Sequence, residues 1–262
     1  EMSNMKVKAA LAAVLLFCIC TVTSQAADGH AIAQKSLEAM DKINLLWMGT
    51  PACRIDFDIK ESVFVNGVEQ NDRTKNSKSF FLKKDIFTYK LKIDQDQEIV
   101  QLDFKTYVAD QSKQAVELPD SLAQFMEKLT KYFDAYNVKN SYEDTSFSVC
   151  TQLPDSKVEG RDCYVLEYAN PGNGDTTVFF IDKGTYLTKQ VQQKMTIENS
   201  SGTITYLYDY TLGEHLGVFK KVLIENFEQG GKHVTTFTTK KFEIIDDLNE
   251  NDFKYNVIKT EE

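Results

Sequence analysis

The side chains of this chain that could do covalent or acid–base chemistry are few and scattered. Its three histidines, His30, His215 and His233, show no HxH or HExxH spacing, so two imidazoles never share a helix or strand face as a metal centre requires. No GxSxG exposes a nucleophilic serine on a strand-to-helix turn. His215 follows Gly213-Glu214 and reads as a turn residue. Asp56 and Asp58 are spaced for a carboxylate pair, but they alternate with Ile55, Phe57 and Ile59 and so fall on the polar face of a strand, where they solvate it. No catalytic residue, metal or cofactor is expected, and the chain is not read as an enzyme.

Cysteine usage speaks to compartment rather than catalysis. The chain has five cysteines, and Cys18 and Cys20 lie in a segment that reads as a signal peptide. Lys6 and Lys8 precede an apolar run over 9–22, and Ser24-Gln25-Ala26 places small residues for cleavage after Ala26. Bulky Phe17 and Ile19 precede Cys18 and Cys20, which does not suit lipidation. The expectation is export of residues 27–262 to the periplasm of a bacterium, free of a lipid anchor. There, Cys150 and Cys163 flank a turn-rich stretch, Pro154-Asp155-Ser156-Lys157 and Gly160, and form a candidate disulfide worth about 3 kcal/mol across so short a loop. Cys53 is left as a buried thiol.

The formal charge is −9, from 30 basic and 39 acidic residues. Removing residues 1–26 takes away two lysines and one glutamate and leaves −10. Such a balance argues against nucleic acid and against an anionic membrane surface as partners.

The elements that must position any site are mostly strands. Two helices are expected. One runs from 30 to about 47, with Ile32, Leu37, Met40, Ile43, Leu46 and Trp47 at helical spacing before Gly49-Thr50-Pro51. The other starts at Pro119-Asp120-Ser121 and carries the stripe Leu122, Phe125, Met126, Leu129, Tyr132, Phe133 and Tyr136. Asn66-Gly67 marks a hairpin, and Lys83-Lys84-Asp85 a second one between Phe80, Leu82 and Phe87, Tyr89, Leu91, Ile93. Later strands are expected over 147–150, 163–168, 177–181, 188–197, 204–210, 219–227 and 234–244, separated by turn residues such as Gly213 and Gly230-Gly231. No linker divides 27–262, which reads as one domain. Ile204, Tyr206, Tyr208 and Tyr210 share one strand face. That face either fills a core beneath a helix or lines a cavity, and the pattern is the same for both.

Several ordered motifs resemble the outer-membrane lipoprotein carrier (LolA-like) family. After the first helix and the strand of Ile55 to Ile59, Phe81-Leu82-Lys83-Lys84-Asp85-Ile86-Phe87-Thr88-Tyr89 is similar to its strand–turn–strand motif. Leu102-Asp103-Phe104-Lys105-Thr106-Tyr107-Val108 is similar to the segment leading into its helical stretch. Phe179-Phe180-Ile181-Asp182-Lys183-Gly184-Thr185-Tyr186-Leu187 is similar to its late strand and turn, and Asn251-Asp252-Phe253 to its closing tail. Lys84 stands where many members carry Arg, the following Pro is absent, and Phe104 replaces a Gly. An ammonium does not reproduce a guanidinium fork, so hand-over to the family's usual receptor is not carried across.

The resemblance implies a mainly β fold with α, a curved antiparallel sheet forming an incomplete (half) β-barrel closed by the N-terminal and mid-chain helices. It implies a monomeric periplasmic carrier that binds the acyl chains of a lipoprotein or lipid and moves them between membranes, from a membrane-bound donor complex to an outer-membrane acceptor. Each buried methylene contributes about 0.8 kcal/mol, so partial cover of two or three acyl chains is enough for binding. Candidate lining residues are Phe57, Phe80, Leu82, Phe87, Tyr89, Leu91, Leu129, Phe133, Tyr206 and Tyr208, with Lys84 as the motif's basic position. Two other readings stand beside it. One is an envelope-stress module resembling the half-barrels that bind anti-sigma factors; the other is a structural β domain with a solid core and a protein partner.

Overall fold

Alternation of apolar and polar residues builds the sheet, and a few turns with the right backbone chemistry fix its register. In the computed structural model the described residues are 29–43, 52–83, 88–92, 97–102, 105–130, 149–169, 176–197, 200–211, 217–228, 231–245 and 249–258. Helix α1 covers 29–43. Strands β1 (Ala52–Val65), β2 (Val68–Lys83), β3 (Thr88–Lys92), β4 (Gln97–Leu102), β5 (Lys105–Asp110) and β6 (Gln114–Glu117) precede helix α2 (Asp120–Thr130). After it come β7 (Val149–Val158), β8 (Arg161–Ala169), β9 (Thr176–Asp182), β10 (Thr188–Ile197), β11 (Ser200–Asp209), β12 (Val218–Glu228) and β13 (Gly231–Ile244). A 3₁₀ turn (Glu250–Phe253) and β14 (Asn256–Ile258) follow.

All these strands belong to one 14-stranded sheet in the order β14-β6-β5-β4-β3-β2-β1-β13-β12-β11-β10-β9-β8-β7. Pairing is antiparallel except where β14 lies parallel to β6. The sheet is curved and does not close into a barrel, and two helices accompany it, as expected.

Asn66 and Gly67 take φ of 50° and 78°, so the β1–β2 hairpin closes at Val65↔Val68 through the left-handed pair that a two-residue turn needs. Glu159 and Gly160 do the same between β7 and β8, with φ of 48° and 81°. The hairpin expected around Lys83-Lys84-Asp85 is also present, since Lys83 pairs with Thr88 and Phe80 with Leu91.

The expected turn over 154–160 is confined to its last residues. β7 runs through Pro154, with two residues of β7 set against one of β8 between Leu153↔Val165 and Ser156↔Cys163. A proline is tolerated there because β7 is an edge strand and has no neighbour waiting for its missing N–H.

This register overturns the candidate disulfide. Cys150 pairs with Tyr168 and Cys163 with Ser156, so the two cysteines are five β8 residues apart along the ladder, about 16 Å. That is well beyond the reach of an S–S bond. An odd separation also puts them on opposite faces. None of Cys53, Cys150 and Cys163 is in a disulfide, and all three thiols are buried. Burial pushes the Cys150 and Cys163 thiols above their ordinary value.

Four strands were not read from the sequence: β4, β5, β6 and β14. The segment expected to lead into a helical stretch instead pairs Leu102 with Lys105 as the β4–β5 hairpin. At the next turn, the Asp110 carboxylate accepts from Ser112 Oγ (2.7 Å) and the Gln114 amide (3.0 Å) and turns the chain back into β6.

The apolar residues form two clusters on opposite faces. The larger lies under the helices and includes Ile32, Met40 and Ile43 of α1, Met126 and Leu129 of α2, and the inward residues of most strands. The smaller consists of Val100, Tyr107, Ala109 and Ala115 on the other face of β4–β6. Parity explains the split: Ile99↔Val108 points one way, and Val100↔Tyr107, one residue along, the other.

Candidate functional site

The helix-bearing face is the candidate site, and a row of paired residues crosses it. Leu166↔Phe179↔Val191↔Tyr206↔Val222↔Phe237↔Ile59 runs in register from β8 to β1. All but Ile59 are buried. Beyond β1 the row two pleats along continues through Ile55↔Phe80↔Leu91↔Ile99↔Val108↔Val116. β-branched and aromatic residues supply this face because they pack well against cross-strand neighbours. Phe57 packs edge-on against Phe237 (5.4 Å between ring centres) and tilted against Phe219 (6.3 Å).

The helices are held to that face by apolar burial and by tyrosine hydroxyls. α1 buries positions 32, 33, 36, 40 and 43, a helical repeat. Its first residue, Gly29, lies against Cys150 and Leu166, where a Cβ would sit 3.5 Å from the Cys150 sulfur. Near its other end, Tyr210 Oη donates to the Thr188 carbonyl (2.7 Å) and touches Met40 Sδ (3.6 Å).

α2 begins with Pro119 and Asp120, and the Ala123 amide donates to the Pro119 carbonyl (2.9 Å). Tyr206 Oη donates to the carbonyls of Lys128 (3.0 Å) and Leu129 (3.1 Å), two acceptors at the end of α2. The phenol thus ties the helix to the middle of the sheet.

Of the ten expected lining residues, Phe57, Leu91, Leu129, Tyr206 and Tyr208 are brought together in the large cluster. Phe80 lies in register with Ile55 and Leu91, and Leu82 with Cys53 and Tyr89. Phe87, Phe133 and Lys84 lie outside the described residues. Phe57 and Tyr206 are 0% exposed and Tyr208 1%, so they form a covered floor and not the wall of an opening. Phe219, Phe237 and the end of α2 supply that cover.

The accessible apolar surface lies elsewhere, at residues the sequence did not single out as a site. Ile59, Ile99, Leu118, Phe125 and Phe242 pack against the floor yet are only partly buried. They lie on β1, β4, the β6–α2 connection, α2 and β13, at the margin of that cluster. Leu122, placed in the buried stripe of α2 by its spacing, is 51% exposed. Alternation set Ile59 on the apolar side of its strand, and the stripe marked Phe125, but only the tertiary packing leaves them half open.

The opposite face is charged. Asp56 pairs with Arg54 (2.8 Å) and Asp58 with Lys240 (2.9 Å), the solvating role expected for them. His30 and His233 are exposed, and His215 lies outside the described residues. Among the described residues no three His, Cys, Asp or Glu side chains converge on a metal position. No helix among them is long and apolar enough to cross a membrane.

The late motif has a clear local cause. Asp182 Oδ1 accepts from the Gly184 and Thr185 amides (2.8 and 2.9 Å) and from Thr185 Oγ1 (3.2 Å), and Tyr186 takes a positive φ of 59°. The carboxylate thereby closes the β9–β10 turn.

No protein-family model matches the chain, and no curated protein matches it in sequence. Its structure is similar to that of a DUF1329 family protein from Desulfovibrio piger, with a TM-score of 0.53 and 13% identity over 88% of this chain and 97% of the other. Structural neighbours also include a LolA superfamily protein from Nitrosomonas europaea (TM-score 0.49, 14% identity, 85% and 97% covered). Another is an outer membrane lipoprotein-sorting protein domain from Vibrio parahaemolyticus (TM-score 0.42, 17% identity, 84% and 97% covered). At 13% identity, the likeness to the Desulfovibrio protein is one of fold alone.

Proposed function

We propose that the protein is a non-catalytic carrier that takes up the acyl chains of a lipoprotein or lipid against the helix-bearing face and moves them between membranes of the cell envelope. The observation that supports this most is the half-covered apolar rim of Ile59, Ile99, Leu118, Phe125 and Phe242 beside a continuous apolar floor. A ligand that slides under α2 would cover this margin. Burial of acyl methylenes supplies the affinity, and an open sheet lets the load leave again. The ordered motifs that resemble the carrier family support the same reading, as does the leader-like segment for a periplasmic location.

Purification without detergent, lipid extraction and mass spectrometry test it, together with displacement of a fluorescent fatty acid. Co-purifying acylated molecules and saturable dye uptake are expected. Repeated isolation without lipid and no dye uptake would overturn the proposal.

One observation favours the second reading, a solid structural domain: Phe57, Tyr206 and Tyr208 are fully covered with the helices in place. The carrier reading therefore requires that α2 be displaced by the load. Ligand should raise amide exchange in 120–130; unchanged exchange with a bound ligand would favour the solid domain.

A further inference from the structure

Polar side chains interrupt the apolar floor along one line. One pleat away from the Tyr206 row, Cys150↔Tyr168↔Thr177↔Gln193 pair in register across β7 to β10, and the line ends against Ile204. All four are buried: Cys150 is 8% exposed, Tyr168 6%, Thr177 1% and Gln193 6%. Gln193 is two residues from Val191 and so shares the helix-bearing face with it.

Gln193 Oε1 has no hydrogen-bond donor within reach. Among the described residues the other buried side-chain atom in that position is Thr176 Oγ1, which adjoins Thr177 in β9 and therefore points to the opposite face. Elsewhere on the helix-bearing face the protein satisfies its buried phenols, Tyr206 with α2 and Tyr210 with Thr188. An acceptor left open on that surface costs stability unless something donates to it.

We propose that Gln193 is a polar anchor for the load, and that the preferred ligand carries an N–H donor beside its acyl chain, as in an amide-linked acyl group. This rests on the carrier reading above and narrows its substrate class. The anchor sits one pleat, about 7 Å, from the row on which the end of α2 is tied down. From β10 to β1 there are four strand spacings, about 19 Å, so a long acyl chain fixed at Gln193 would run under α2 toward Ile59 at the rim. An ester offers only acceptors to Gln193 Oε1 and leaves it unpaired; an amide satisfies it.

Two probes of equal length and shape separate these cases: N-hexadecylacetamide, with one N–H, and hexadecyl acetate, with an oxygen in its place. Their affinities are measured by displacement of a fluorescent fatty acid from the full chain. The amide should bind about tenfold more tightly to the unaltered protein, the worth of one buried hydrogen bond. Gln193→Met should remove that gap by weakening the amide while leaving the ester unchanged, and Gln193→Leu serves if the first variant does not fold. Equal affinities in the unaltered protein, or a gap that survives in Gln193→Met, overturn the anchor while leaving the carrier reading in place. Uptake of neither probe overturns both.

Discussion

The two faces of the sheet bury their apolar residues by different means. On the β4–β6 side, Val100, Tyr107, Ala109 and Ala115 are joined by Leu102 and Tyr255, and the chain's own tail lies alongside. That tail is tied down residue by residue. Lys113 Nζ donates to the Asn251 carbonyl (2.7 Å), the Asn256 amide to the Lys113 carbonyl (2.8 Å), and Tyr255 Oη to Glu98 (2.6 Å). Lys90 sits over the Phe253 ring, and β14 adds parallel pairing to β6. The helix-bearing face is far larger, and there α2 packs through Met126 and Leu129 and takes the Tyr206 phenol on its last carbonyls. A face closed by backbone pairing and short polar ties is finished; a face closed by a helix resting on grease can be opened. That difference is the reason the proposed uptake is assigned to the helix side.

The contrast can be broken in several ways. Phe57→Ala removes a fully buried ring from the floor and should cost about 3–5 kcal/mol of unfolding free energy in denaturant titration. A loss under about 1 kcal/mol would mean the floor is not a cooperative core. Phe253→Ala should cost less, about 1–3 kcal/mol, because the tail can detach without the rest of the sheet unfolding. Hydrogen exchange should then rise in 249–258 and β6 while α2 keeps its protection.

Tyr206→Phe sharpens the comparison from the other side. Losing the hydroxyl should cost about 0.5–1.5 kcal/mol and raise exchange in α2 but not in the tail. If both regions loosened together, the two faces would not be independent.

The smallest effect is a pH dependence. Burial first, then the bond to Glu98, holds the Tyr255 phenol above its ordinary value of 10.0. A group raised on folding favours the folded state fully below that ordinary value and loses its contribution as pH climbs past it. The tail should therefore loosen above pH 10.0, followed by exchange or by near-ultraviolet absorbance of the phenolate, and Tyr255→Phe should abolish the dependence.

Much of the architecture was legible in local pattern. Asn66-Gly67 requires a hairpin because few other pairs accept two left-handed conformations, and the strands from β8 to β13 follow from alternation punctuated by turns. Strands β4 and β5 escaped because Gln97-Glu98-Ile99-Val100-Gln101-Leu102 alternates poorly: both of its faces are partly apolar, one for each cluster. The disulfide expectation failed because loop length says nothing of register: the hairpin closes at Val158↔Arg161, not over 154–157, and that decides which residues meet.

Side-chain chemistry dictates what each residue needs: Ile55, Phe57 and Tyr206 must leave water, Asp56 and Asp58 must keep it, and Asp182 must close a turn. How far those needs are met is a matter of packing. Whether Tyr206 is floor or wall, whether Leu122 is covered, and whether Gln193 finds a donor depend on where α2 comes to rest and on cross-strand register. Periodicity fixes the face a side chain points to, while cover comes from residues far along the chain, and burial is a property of the pair.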